Sequence, residues 1–104
     1  MNAKPERQLE SNCLAFARSR GWVCWKNEPT GNKGIPDDSL LSPDGATIIL
    51  VEFKRPDGRG RLSQEQRRWL GRCRLAFVID NFSDFARLLE HYERPDFLRF
   101  EEEK

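Results

Sequence analysis

The sequence has a single histidine, His91, and three widely separated cysteines, Cys13, Cys24 and Cys73. One imidazole excludes mechanisms that need two, and it excludes a multi-histidine metal cage. An odd number of thiols without a Cys-x-x-Cys pair supports neither a disulfide framework nor a zinc ribbon. The cysteines therefore read as buried, reduced side chains. No apolar run approaches the ~20 residues of a membrane span. The polar start Met1-Asn2-Ala3-Lys4-Pro5-Glu6-Arg7 lacks the apolar stretch of a secretory signal. The expectation is a cytoplasmic protein with no membrane partner. If the chain is an enzyme, carboxylates and lysine carry the chemistry.

A length of 104 residues predicts one domain, since two cores would each be too small to offset the entropy of ordering them. We expect a core over about 5–93 and a tail over 94–104. The formal net charge of +1 conceals an uneven distribution. From Lys54 to Arg74 there are eight basic residues against two acidic ones, so this block carries +6 and leaves −5 to the rest. Seven of the eight are Arg, whose planar fork suits phosphate oxygens. Such a block is either a polyanion footprint or a solvated helix face.

Apolar periodicity gives the order of elements. Pro5 suits the first turn of a helix that runs to about Arg20, with Gly21 as its stop. Leu9, Cys13, Phe16 and Ala17 form one stripe on it. Trp22 to Trp25 reads as a strand, and Asn27 to Pro36 as a loop. Asp37 to Leu41 and Ala46 to Lys54 make a hairpin about Pro43-Asp44-Gly45. Ser63 opens a helix to about Arg74, Leu75 to Ile79 is a strand, and Ser83 caps a last helix ending near Pro95. The predicted order is α-β-β-β-α-β-α, an α/β fold.

The chemistry concentrates at the end of the third strand. Glu52 and Lys54, two residues apart, leave one face of it with Cα atoms about 6.6–6.8 Å apart. Burying that pair is costly unless something compensates, and a divalent cation held by oxygen ligands is one candidate. Asp37, after the Gly34-Ile35-Pro36 turn and next to the Glu52 strand, is placed to give a second carboxylate. The alternative is a surface hairpin with an ordinary Glu–Lys face.

Three further stretches fall in order: Gly34-Ile35-Pro36-Asp37, Val51-Glu52-Phe53-Lys54-Arg55-Pro56 and Leu62-Ser63-Gln64-Glu65-Gln66, with Glu10 some eleven positions before Gly21. Together they resemble the virus-type replication-repair nuclease (VRR-NUC) family of the PD-(D/E)XK nuclease superfamily. The resemblance implies a mixed central sheet flanked by helices and a Mg²⁺- or Mn²⁺-dependent endonuclease that hydrolyses DNA. Asp37 and Glu52 become metal carboxylates, the Phe53 main-chain carbonyl a further ligand, Lys54 the catalytic lysine, Gln66 a helper and Glu10 an additional acid. Glu6 rivals Glu10 for that role, and Gln66 also fits a capping box with Ser63. Asp38 replaces the usual apolar residue, and its side chain is expected to face away from Asp37 as a non-ligand. Lys33, Arg55, Arg59, Arg61, Arg67 and Arg68 are the natural phosphate clamps. Trp22 and Trp25 offer stacking surfaces for an unpaired base, or core.

Short stand-alone members of the resembled family come from phages and act as homodimers on branched DNA, which implies four-way junction resolution in a bacterial or phage-infected cell. Phe97-Leu98-Arg99-Phe100 is a candidate dimer contact. The alternatives are a nuclease of general, flap or nick preference, and a non-catalytic nucleic-acid-binding module of the same fold.

Overall fold

A computed structural model describes residues 5–58 and 60–93. Arg59 and the tail beyond Glu93, including Phe97 to Phe100, lie outside the described residues. The elements follow the expected order: α1 (Pro5–Ser19), β1 (Val23–Lys26), β2 (Asp38–Leu41), β3 (Ile48–Phe53), α2 (Gln64–Arg72), β4 (Ala76–Ile79) and α3 (Phe82–Tyr92).

α1 stops where Gly21 takes φ +91°. The Gly21 amide donates to the Arg18 carbonyl at 3.1 Å and the Trp22 amide to the Ala17 carbonyl at 3.0 Å, which is the Schellman pattern. That turn drives Trp22 into the core, where it is 2% exposed, instead of opening β1 with it. Its indole Nε1 donates to Glu93 Oε2 at 3.0 Å, and Arg20 also pairs with Glu93, which joins the end of α3 to the end of α1.

The sheet runs β1-β2-β3-β4, antiparallel except for the parallel β3–β4 pair that α2 crosses between, so it is mixed. Alternation along β3 sends Ile49, Val51 and Phe53 to one side, where Leu9, Cys13 and Ala17 of α1 and Phe85 and Leu89 of α3 complete the core. The opposite side is thinly covered. α2 buries none of its residues fully, and Val23, Trp25, Ile48 and Val78 stay 40–56% exposed. Among the described residues no helix is long and apolar enough to cross a membrane.

Strand ends shift by one or two residues from expectation, with β1 over Val23–Lys26, β2 from Asp38, β3 over Ile48–Phe53 and β4 from Ala76, and three helix boundaries differ as well. Asn81, not Ser83, caps α3, its side chain accepting from the Asp84 amide at 2.8 Å. Two residues of equal capping chemistry stand within one turn, and the end of β4 at Ile79 decides between them. α3 ends at Tyr92 and α2 at Arg72, where Cys73 turns to extended backbone and its amide donates back to the Trp69 carbonyl.

Gly34 seats α2 on the loop before β2. It has φ +80°, and a Cβ there would lie 2.4 Å from the Glu65 carbonyl carbon and 2.6 Å from the Gln66 nitrogen. Gly34→Ala is expected to cost roughly 2–5 kcal/mol, from the left-handed backbone and the overlap together. Denaturant unfolding checks this, and an unchanged midpoint would contradict the close approach.

Candidate active site

Asp37 stands where β2 begins and Glu52 near where β3 ends, so the antiparallel pairing brings them to one end of the sheet. Asn27 fixes that corner. Its amide nitrogen donates to the Asp37 carbonyl at 2.9 Å, its side chain donates to the Pro36 carbonyl at 2.9 Å, and its Oδ1 accepts from Ser39 Oγ at 2.8 Å. Asp37 Oδ2 accepts the Phe53 main-chain N–H at 2.8 Å, so a carboxylate is held at the sheet end by the strand beside it.

Glu52 is 4% exposed. Its Oε2 accepts from Gln66 Nε2 at 2.9 Å and lies 3.4 Å from Lys54 Nζ. Lys54 Nζ donates to Gln66 Oε1 at 3.2 Å, and the Ser63 amide donates to the same oxygen at 2.8 Å. The Gln66 amide in turn donates to Ser63 Oγ at 3.1 Å. The two readings of Gln66 thus hold together: it closes the capping box of α2 and joins Glu52 to Lys54.

A cavity of about 190 Å³ opens at this corner, lined by Glu6, Arg7, Glu10, Lys26, Asp37, Glu52 and Phe53. Both rivals for the helix acid reach it. Glu10 is engaged, its Oε2 accepting from Lys26 Nζ at 2.8 Å. Burial pushes the Glu52 carboxyl up to about 7, the Asp37 charge adds to this, and Lys54 opposes it. Burial likewise raises Asp37, with the Glu10 charge adding to it and the Phe53 N–H opposing.

Asp38 lies in register between Lys26 and Val51 and is 1% exposed. It points into the α1 side of the sheet, toward Glu10. As a carboxylate it finds no donor for either oxygen. Burial first, then the Glu10 hydrogen bond and charge, push it up to about 8, so it holds its proton far more readily than an ordinary Asp. For Glu10 itself burial acts upward, and the bonds from Asp38 and Lys26 outweigh it and lower its pKa. A raised carboxyl stabilises the fold fully below its ordinary value of 3.8, and that contribution is lost as pH rises through about 8. Asp38→Asn is therefore expected to melt higher than the unaltered chain at pH near 8 and to flatten the decline from acid to alkaline pH, each kcal/mol relieved being worth about 4–8 °C. Thermal melts in EDTA across that range check it; parallel curves would contradict the assignment.

Among the described residues no three His, Cys, Asp or Glu side chains converge to hold an ion by themselves. The oxygen set at the cavity still fits a hard cation. Glu52 Oε1 is buried with no hydrogen-bond partner, Asp37 stands beside it, and both line the cavity with Phe53. Mg²⁺ and Mn²⁺ commonly complete such a set with waters and a substrate phosphate.

The predicted phosphate clamps are spread more widely. Arg61, Arg67 and Arg68 are exposed, and Arg55 pairs with Asp57 at 2.9 Å. Lys33 stands by α2 with Glu65 and Arg68, away from the acidic cavity. Trp22 is buried and offers no stacking face, whereas Trp25 is 42% exposed on the edge strand. Sequence reasoning missed Asn27, Lys26 and the Asp38–Glu10 contact. An Asn opening the Asn27 to Pro36 loop was a local signal for the first; the other two depend on pairing across the sheet.

The VRR-NUC domain model matches residues 3–79 of this chain, a span that includes Glu10, Asp37, Glu52, Lys54 and Gln66. A solved structure described as a VRR_NUC domain is similar with a TM-score of 0.74 and 26% identity, over 86% of this chain and 99% of that one. No curated protein sequence gives a significant match.

Proposed function

This chain belongs to the VRR-NUC family of nuclease domains, and from that premise we propose that it is an endonuclease that hydrolyses DNA phosphodiester bonds at the Asp37–Glu52–Lys54 corner with Mg²⁺ or Mn²⁺. The observation that carries the reading is the Glu52 Oε1 atom, buried and without a donor, beside a second carboxylate at a cavity. Leaving it so is costly in a protein that binds nothing there.

When bound, a divalent cation supplies neutralisation of the charge that develops on the phosphoryl and leaving oxygens. Asp37 and Glu52 would hold it, with the Phe53 carbonyl as the main-chain donor. Lys54 is steadied by Gln66 and Glu52 and directs an N–H at the attacking water, orienting it in line with phosphorus. The water oxygen bonds to phosphorus as the bond to the 3′ oxygen breaks; the water gives up a proton to solvent and the 3′ oxygen takes one from solvent, leaving 5′-phosphate and 3′-hydroxyl ends. Glu10, held by Lys26 and Asp38, adds negative charge at the cavity wall.

For substrate we propose branched DNA, a four-way junction cut by a homodimer whose two-fold axis presents two sites to two strands. The small size of the chain and the exposed apolar side chains Val23, Trp25, Ile48 and Val78 support self-association. Labelled linear, flapped and four-way DNA of common sequence, incubated in Mg²⁺ and in Mn²⁺, test this. Paired symmetric nicks in the four-way substrate are expected. Equal cutting of linear duplex would favour a general nuclease, and binding without any cleavage would favour a non-catalytic module.

A further inference from the structure

A second concavity lies along α2, apart from the acidic cavity. Lys33, Glu65, Arg68, Trp69, Arg72 and Cys73 line a groove of about 970 Å³. On the helix, Glu65, Arg68 and Arg72 form one row with Trp69 beside it, and Cys73 lies just past the helix end, so the groove follows the axis for about 10 Å. It starts one residue from Gln66, whose side chain bonds Glu52, and Trp69 is three positions, or about 4.5 Å along the axis, from Gln66. Lys33 lines it from the loop whose next residue, Gly34, is seated on the Glu65–Gln66 backbone.

Three cations against one carboxylate, arranged about an indole, match a ligand that is anionic along its length and carries flat apolar faces. An unpaired nucleotide has that chemistry. Bases within a duplex are stacked and paired and present no face to an indole, whereas a splayed strand does. Trp22 is buried, and Trp25 lies on the edge strand β1 outside this groove, which makes Trp69 the indole placed beside these cations.

We propose that this groove receives an unpaired nucleotide next to the phosphodiester to be cut, its base stacked on Trp69 and its phosphates on Lys33, Arg68 and Arg72. The inference rests on the nuclease reading and deepens it: DNA with unpaired nucleotides at the branch is selected by base stacking beside the site.

The test is binding in EDTA, where no cleavage intervenes, of a labelled oligothymidylate and of an abasic oligomer of the same length. The unaltered chain is expected to prefer oligothymidylate. Trp69→Ala is expected to weaken oligothymidylate about 5- to 100-fold while leaving the abasic oligomer unchanged. Trp69→Phe, which keeps a ring and guards against a folding defect, is expected to recover most of the loss. Arg68→Gln with Arg72→Gln is expected to weaken both oligomers together. Equal binding of the two oligomers by the unaltered chain would overturn the proposal, as would an equal loss for both in Trp69→Phe. So would a Trp69→Ala chain that loses self-association in sedimentation but keeps its oligothymidylate affinity. Cleavage of branched DNA in Mg²⁺ is scored separately, so its absence contradicts the nuclease reading while the base-dependent binding contrast stands or falls alone.

Discussion

Asp37→Asn is expected to abolish metal-dependent cleavage while the metal-free chain melts at the same temperature or higher. The amide keeps an oxygen to accept the Phe53 N–H that Asp37 accepts at 2.8 Å, so the corner is preserved. What is lost is the charge. Because the Asp37 charge helps hold Glu52 up to about 7, its removal relieves like-charge repulsion and lets Glu52 fall toward its ordinary range. Losing a direct ligand should exceed the roughly 10–100-fold effect of losing a supporting partner of a metal site. Single-turnover cleavage and thermal melts in EDTA, made on one preparation, check both halves. A variant that cuts at the normal rate would remove Asp37 from the site. A large fall in melting temperature would show that its charge serves the fold.

Lys54→Met is the second large effect. Its Nζ is hydrogen-bonded to Gln66 Oε1 and lies 3.4 Å from Glu52, so the substitution removes both the group proposed to orient the water and the positive charge beside Glu52. Cleavage should fall about 10²–10³-fold, the range for loss of one positioned hydrogen-bond donor at a reacting centre. Lys54 is among the charges that restrain the rise of Glu52. Without it Glu52 ionises at higher pH, so residual activity should gain more from alkaline buffer than the unaltered activity does. DNA affinity in EDTA should change little. A rate profile unshifted in pH, or an equal loss of binding, would contradict this division of roles.

Much of the fold was legible because local signals agreed with one another. Pro5 and Gly21 bracket α1, Pro43-Asp44-Gly45 turns the hairpin, and Ser63 with Gln66 starts α2. Trp22 misled because an aromatic before a β-branched residue reads as strand, whereas the Schellman turn at Gly21 points it inward to Glu93. Ser83 was displaced by Asn81 because caps within one turn compete on equal local chemistry. The carboxylate pair could be read from strand alternation and the order of turns. The Asp38–Glu10–Lys26 contact could not, because it joins a helix to two strands through pairing that no local pattern encodes. Gln66 shows the opposite case. Its cap role and its bonds to Glu52 and Lys54 looked like alternatives in the sequence, and the helix start at Ser63 makes them one arrangement.

The central claim is that Asp37 and Glu52 together hold a divalent cation. Titration of Mn²⁺ into the metal-free chain, followed by electron paramagnetic resonance without DNA, tests it most directly. Glu52, raised to about 7, has to lose its proton for the ion to bind, so affinity should climb about tenfold per pH unit below that point and level off above it. Asp37→Asn should bind negligibly at every pH. Saturable binding that is insensitive to pH and equal in the two chains would place the ion elsewhere and contradict the account.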